Sequence, residues 1–183
     1  MLYFVTGNKH KISSAQLYLS PFNIAFEAKN LSITEIQSTS IEEIAQHKAR
    51  EAFAQLKQPL IVKDDGWLIS ALNGFPGPYM RYINEWFTTD DFLNLLKHKN
   101  NNEVIFHEVV CYIDNNQTKT FSSKIVGKFL TKPQGSAAPF MEISTFRKDN
   151  KTVAEANSEG VPEFDQRSIW NEFAKWYTDH SQG

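Results

Sequence analysis

Apolar runs and stretches of helical periodicity alternate along the first third of the chain. Short apolar runs, typical of buried strands, cover residues 2–6 and 60–63, and the alternation in residues 24–28 predicts a further strand. Apolar positions recur with the period of an amphipathic helix in residues 12–19 and 41–56. Ser40 is a suitable N-cap for the second helix, and Pro59 follows its last turn. Strands separated by helices predict an α/β fold.

The rest of the chain continues with helical and strand-like segments. We expect one or two helices in residues 80–97, after a stiff loop of two prolines and two glycines over residues 74–79. Residues 104–113 and 118–129 read as strands joined at the turn Asp114-Asn115-Asn116, which predicts a long hairpin. An apolar stripe over residues 163–177 predicts a final helix.

Composition and charge limit the class of protein. With 183 residues and 41% hydrophobic side chains, we expect one globular domain over residues 1–183. A net charge of -2 argues against a general nucleic-acid partner. The N-terminal apolar run is far shorter than the ~20 residues of a membrane span, so no membrane partner is expected. Cys111 is the only cysteine, which excludes an intrachain disulfide and favours the cytoplasm.

The segment Thr6-Gly7-Asn8-Lys9-His10-Lys11 joins the first strand to the first helix. A glycine there allows an anion to approach the backbone, the helix N-terminus offers N–H groups, and the lysines add positive charge. This arrangement outlines a phosphate cradle. An ordinary turn with solvated lysines is the alternative, because the full P-loop pattern is missing.

Two acidic residues, Asp64 and Asp65, come directly after the third predicted strand. The carboxyl end of such a strand is where open α/β sheets bind ligands, and carboxylates suit a hard cation such as Mg²⁺. Glu35 could complete the ligand set, although an Asp-Asp-Gly sequence is also common in plain turns.

Lys48 lies among alanines on the second helix, either extending to solvent or directed into a charged cleft.

The order of these features resembles the inosine triphosphate pyrophosphatase (Ham1-like) family. Val5-Thr6-Gly7-Asn8 with Lys11 is similar to that family's opening T-G-N-x-x-K, and Ala71 to Tyr79 is similar to its A-L-x-G-x-P-G-x-Y loop. The acidic pair and this loop have the family's separation. The resemblance implies an α/β fold with an elongated mixed central sheet and two lobes that flank an active-site cleft. It also implies hydrolysis of noncanonical purine nucleoside triphosphates, such as ITP, XTP and dITP, to the monophosphate and pyrophosphate.

The resemblance also implies roles for individual residues. Asp64 and Lys11 would be catalytic, and Glu35 and Asp64 would bind Mg²⁺ as the cofactor. Asp64 would orient or deprotonate the attacking water. The residues that would bind the nucleoside triphosphate are Thr6, Asn8, Lys9, Lys48, Asp65, Gly66, Phe140 and Arg167. Among these, Phe140 is the candidate for stacking on the base. A homodimer is expected.

The chain also departs from the family's pattern. Lys63 stands where the family has an acid, Asp65 stands at its hydroxyl position, and Ser14 replaces a glutamate. Of the C-terminal E-K-N-x-x-S-H-R motif, only Arg167 is left. Three functions therefore remain open: the family's pyrophosphatase activity, a relative with altered base specificity, and a nucleotide-binding protein that has lost catalysis.

Overall fold

The computed structural model describes residues 1–164 and 168–180. Within those residues, the helices are α1 (Lys9–Leu19), α2 (Ile41–Leu56), α3 (Met80–Trp86), α4 (Thr89–Leu96), α5 (Val153–Glu159) and α6 (Ile169–His180). The strands are β1 (Leu2–Val5), β2 (Phe26–Lys29), β3 (Leu60–Ile69), β4 (Pro76–Gly77), β5 (Glu103–Ile113), β6 (Thr118–Phe129) and β7 (Ser144–Thr145). No helix among the described residues is long and apolar enough to cross a bilayer.

The strands form a mixed sheet with the order β2-β1-β3-β5-β6-β7, and β4 pairs with β3. β1 runs parallel to β2 and β3, with Leu2 opposite Phe26 and Tyr3 opposite Leu60. The β3–β4 and β6–β7 pairs are antiparallel. The predicted α/β class with a mixed sheet is therefore confirmed.

The chain forms two compact units. Unit 1 comprises residues 1–65, 108–123 and 168–180 of those described, and unit 2 comprises residues 66–107 and 124–164. Each of the strands β3, β5 and β6 has some of its residues in unit 1 and the others in unit 2.

In unit 1, the alternation of side chains along each strand divides the core into two layers. One layer packs the strands against α1 and α6, with the ring of Phe4 5.4 Å from that of Trp170. The other packs them against α2 through small side chains such as Ala45, Ala49 and Ala52. The predicted N-cap is confirmed, because the Ser40 hydroxyl accepts a hydrogen bond from the backbone N–H of Glu43.

In unit 2, the core is rich in aromatic rings. Trp67 contacts Phe106, Phe140 and Phe146 with ring centroids 4.6–5.3 Å apart.

The predicted hairpin is confirmed, with β5 and β6 adjacent in the sheet. In the turn between them, the Asp114 carboxylate accepts hydrogen bonds from the N–H groups of Asn116 and Gln117.

Two predicted boundaries were wrong. The third strand does not end at Lys63, because β3 continues through Asp64, Asp65 and Gly66 to Ile69. The charges within it are compatible with a strand because each has an oppositely charged partner. The last helix begins at Ile169 rather than at residue 163, since Phe164 instead forms a parallel bridge with Phe146.

Candidate active site

The loop between β1 and α1 is built around Asn8. Its side-chain oxygen accepts hydrogen bonds from the N–H groups of His10 (2.9 Å) and Lys11 (3.3 Å), and its own N–H donates to the Thr6 hydroxyl (3.1 Å). Asn8 therefore caps α1, and a phosphate at this helix end would share those N–H groups with it. Lys9 begins the helix with its side chain exposed.

The first turn of α1 directs Lys11 toward the middle of β3. Its ammonium donates to the carbonyl oxygen of Lys63 (3.1 Å) and lies 3.0 Å from Asp65 Oδ2 and 3.9 Å from Asp64 Oδ1. Lys11 thus contacts both members of the acidic pair.

Lys48 reaches the same strand from α2. Its Nζ atom lies 2.8 Å from Asp64 Oδ2 and 2.6 Å from Glu35 Oε1. Burial acts to lower the pKa of Lys48, but the carboxylates of Asp64 and Glu35 outweigh it and raise that pKa. Of the two readings of Lys48, the structure supports the lysine directed into a charged cluster.

Asp65 is held between two ammonium groups. Although burial acts to raise the pKa of Asp65, the positive charges of Lys11 and Lys63 outweigh it and hold that pKa below its ordinary value. Asp65 is therefore an ionised residue that orients the lysines around it.

Sequence reasoning missed Glu108, a buried residue of β5. Its carboxylate lies 2.9 Å from Lys63 Nζ, and its other oxygen accepts a hydrogen bond from the N–H of Ile169 at 3.3 Å. The available signal was an acidic residue within residues 104–113, a run that is apolar except for Glu108 and the neighbouring His107.

The predicted metal ligands can be tested by the chemistry of their donors. Glu35 Oε1 and Asp64 Oδ2 converge on one cationic atom, Lys48 Nζ. Two carboxylates completed by substrate phosphates are a usual set for Mg²⁺, so these residues fit the ion. Across residues 1–164 and 168–180, His, Cys, Asp and Glu side chains form no group of three or more that could hold a metal by themselves.

Five predicted site residues come together in unit 1: Lys11, Glu35, Lys48, Asp64 and Asp65.

Other predicted residues lie elsewhere. Gly66 is buried in β3 and belongs to unit 2. Phe140 is only 1% exposed and packs against the rings of Trp67, Phe92 and Phe129, so its ring faces no open space in this conformation, and its role in base stacking stays a prediction. Arg167 lies outside the described residues.

Comparison with known sequences identifies the family of this chain. The model of the Ham1 family matches residues 2–169. The chain belongs to the Ham1 family. Among curated relatives of this Ham1 protein is a dITP/XTP pyrophosphatase of Methanopyrus kandleri, which is 34% identical, with 98% of this chain and 97% of the relative covered. A dITP/XTP pyrophosphatase of Thermococcus kodakarensis is 30% identical, with 98% of each chain covered.

Solved structures agree on the fold. A HAM1 protein from Coxiella burnetii superimposes with a TM-score of 0.79 at 22% identity, over 97% of this chain and 98% of that one. The long strands that carry the acidic pair and Glu108 thus belong to a Ham1 fold.

Proposed function

We propose that this Ham1 protein is a nucleoside triphosphate pyrophosphatase that hydrolyses noncanonical purine nucleotides such as dITP, XTP and ITP. The observation that carries the proposal is the convergence of Lys11, Lys48, Glu35 and Asp64. Full-length relatives named dITP/XTP pyrophosphatase support it.

The side chains of the cluster suit this reaction. Lys11 and Lys48 are placed to exchange their carboxylate partners for phosphate oxygens and so to neutralise charge on the triphosphate. Asp64 accepts a proton from a water whose oxygen attacks the α-phosphorus. The bond between the α-phosphorus and the bridging oxygen breaks, so pyrophosphate leaves with that oxygen and the nucleoside monophosphate remains.

Mg²⁺ is the proposed cofactor, held by Glu35 and Asp64 together with substrate phosphates. When bound, it would supply positive charge that polarises the phosphate oxygens. The proposal is supported by the two carboxylate oxygens that converge on Lys48 Nζ.

The test is a nucleotide panel of dITP, XTP, ITP, dGTP, GTP and ATP with Mg²⁺, in which pyrophosphate and monophosphate are both quantified. We expect turnover of dITP, XTP or ITP, and loss of at least ~100-fold in kcat for Asp64→Asn. Glu159→Gln is the control, because this carboxylate pairs only with an exposed lysine in the contact described for it, Lys151 in unit 2. Absence of turnover with every nucleotide, or full turnover by Asp64→Asn, would overturn the proposal.

Altered base specificity is a second candidate, supported by the burial of Phe140. For this candidate we expect the panel to show a preferred nucleotide outside dITP, XTP and ITP. A clear preference for those three over GTP excludes this candidate.

We also propose a cytoplasmic homodimer. Support for the dimer comes from two exposed aromatic residues of α3, Tyr82 (52% exposed) and Trp86 (70% exposed), whose rings lie 5.9 Å apart. Light scattering should give a dimer for the wild type and a monomer for Trp86→Lys. A monomeric wild type would contradict the dimer.

A further inference from the structure

A buried ion pair joins neighbouring strands beside the candidate active site. The Lys63 and Glu108 side chains are 9% and 6% exposed, and their charged atoms lie 2.9 Å apart. Burying charges costs free energy even when they are paired, and apolar residues of the same size would often be at least as stable. Stability alone therefore does not account for this pair.

Glu108 is fixed from a second direction. One carboxylate oxygen contacts Lys63, and the other accepts a hydrogen bond from the N–H of Ile169, the first residue of α6. The positive end of a helix dipole favours a carboxylate at this position. Two elements distant in sequence thus hold the carboxylate in one orientation.

Lys63 connects Glu108 to the acidic pair, because its ammonium lies near both Glu108 and Asp65. Lys63 and Asp65 share a face of β3, and Lys63 Nζ lies 3.7 Å from Asp65 Oδ2. Lys11 Nζ lies 3.0 Å from the same oxygen and also donates to the Lys63 carbonyl. Charges alternate without interruption along Glu108, Lys63, Asp65 and Lys11.

Lys63, which departs from the family's pattern, is paired with an acidic residue on the neighbouring strand. The resemblance places an acid at position 63, and here the acid lies at Glu108 on the next strand of the sheet. A lysine at position 63 without Glu108 would have Asp65 as its nearest described carboxylate and would compete with Lys11 for it.

We propose that Glu108 is a positioning residue of the active site, which holds the Lys63 ammonium so that Asp65 can orient Lys11 toward the triphosphate. This inference rests on the proposed function. Glu108 does not touch substrate, and it acts through Lys63 and Asp65.

The test separates positioning from folding. Glu108→Gln keeps the shape and removes the charge, and we expect kcat to fall ~10–100-fold and KM to rise, because the released Lys63 competes with Lys11 for Asp65. Lys63→Met/Glu108→Leu removes the competing ammonium together with its partner, so we expect kcat to recover toward wild type. The melting temperature should fall slightly, because the N–H of Ile169 loses its acceptor. Glu103→Gln is the matched control, because Glu103 is on the same strand but accepts from Ser70 in unit 2.

A readout besides turnover keeps the two proposals distinguishable. Calorimetry with inorganic tripolyphosphate measures the anion affinity of the cluster that contains Lys11, and we expect at least fivefold weaker binding by Glu108→Gln than by the wild type or the double variant. If the wild type hydrolyses no nucleotide, the proposed function fails, and this measurement alone decides the role of Glu108. A folded Glu108→Gln variant with wild-type kcat, or with wild-type tripolyphosphate affinity where no turnover exists, would overturn the inference, and so would a folded double variant that shows no recovery. If the double variant does not fold, the same comparisons with Glu108→Gln decide it.

Discussion

Replacing Lys48 by methionine tests the charged cluster most directly. The change keeps most of the alkyl chain and removes the ammonium that lies 2.8 Å from Asp64 and 2.6 Å from Glu35. The Asp64 side chain is 14% exposed, whereas that of Glu35 is 65% exposed. Most of the lost free energy should therefore come from Asp64, because an exposed pair contributes only about 0–1 kcal/mol.

The magnitude lies between two limits. Breaking a fully buried pair costs about 3–5 kcal/mol, and breaking an exposed pair costs less than about 1 kcal/mol. Since Lys48 and Asp64 are 19% and 14% exposed, we expect Lys48→Met to lower the free energy of unfolding by about 1–3 kcal/mol. For a chain of this length, that is a fall of about 2–12 °C in the melting temperature.

Mg²⁺ should partly reverse this loss. Without the ammonium, the oxygens of Glu35 and Asp64 face each other with no cation between them. An ion at ten times its Kd stabilises by about 1.4 kcal/mol, so Mg²⁺ should raise the melting temperature of Lys48→Met more than that of the wild type.

Thermal unfolding with increasing Mg²⁺ and with EDTA measures both effects. Lys151→Met, which removes a lysine from an exposed pair with Glu159 in unit 2, is the matched control and should lower the melting temperature less than Lys48→Met does. An unchanged melting temperature for Lys48→Met, or equal Mg²⁺ effects on variant and wild type, would refute the reasoning.

Three further substitutions test the rest of the structure. Gly127→Ala should destabilise by about 1–3 kcal/mol, measured by urea unfolding, because its Cβ would lie 2.4 Å from the Thr145 carbonyl oxygen. Phe140→Ala should cost about 3–5 kcal/mol, and a stable variant with altered base preference would instead support the stacking role. Hydrogen bonds from Arg147 lower the pKa of Asp149 to about 2. The ionised Asp149 carboxylate therefore stabilises the folded state above pH 3.8, and this contribution is lost as pH falls toward 2. Acid unfolding of Asp149→Asn should lack this component, and identical acid transitions would contradict the ion pair.

Local sequence patterns predicted the helices and strands whose stabilising groups lie within the same segment of sequence. The helix α2 follows from the 3.6-residue period and from Ser40, which caps it within the same segment. The hairpin follows from two apolar runs and from Asp114, whose carboxylate binds N–H groups two and three residues away. In both cases the sequence that predicts the element also contains the groups that stabilise it.

The errors occurred where the partner is distant in sequence. Asp64 and Asp65 indicate a strand end by local polarity, but lysines from α1 and α2 balance their charges and the strand continues. Glu108 lies 45 positions from Lys63, and Phe140 lies 73 positions from Trp67, so no local pattern connects either pair. The resemblance identified the members of the cluster, but the pairs that orient them depend on the fold.

Under the proposed function, the charges of the cluster determine how an acidic chain would bind a triphosphate. The described ion pairs place three ammonium groups, those of Lys11, Lys48 and Lys63, beside carboxylates of Glu35, Asp64, Asp65 and Glu108. Phosphate oxygens must therefore compete with carboxylates for the lysines. A divalent cation that takes over the carboxylates of Glu35 and Asp64 would release Lys48 for phosphate, whereas Glu108 keeps Lys63 occupied. Metal and triphosphate should accordingly favour each other's binding, and the chain's net charge of -2 is no obstacle to that binding.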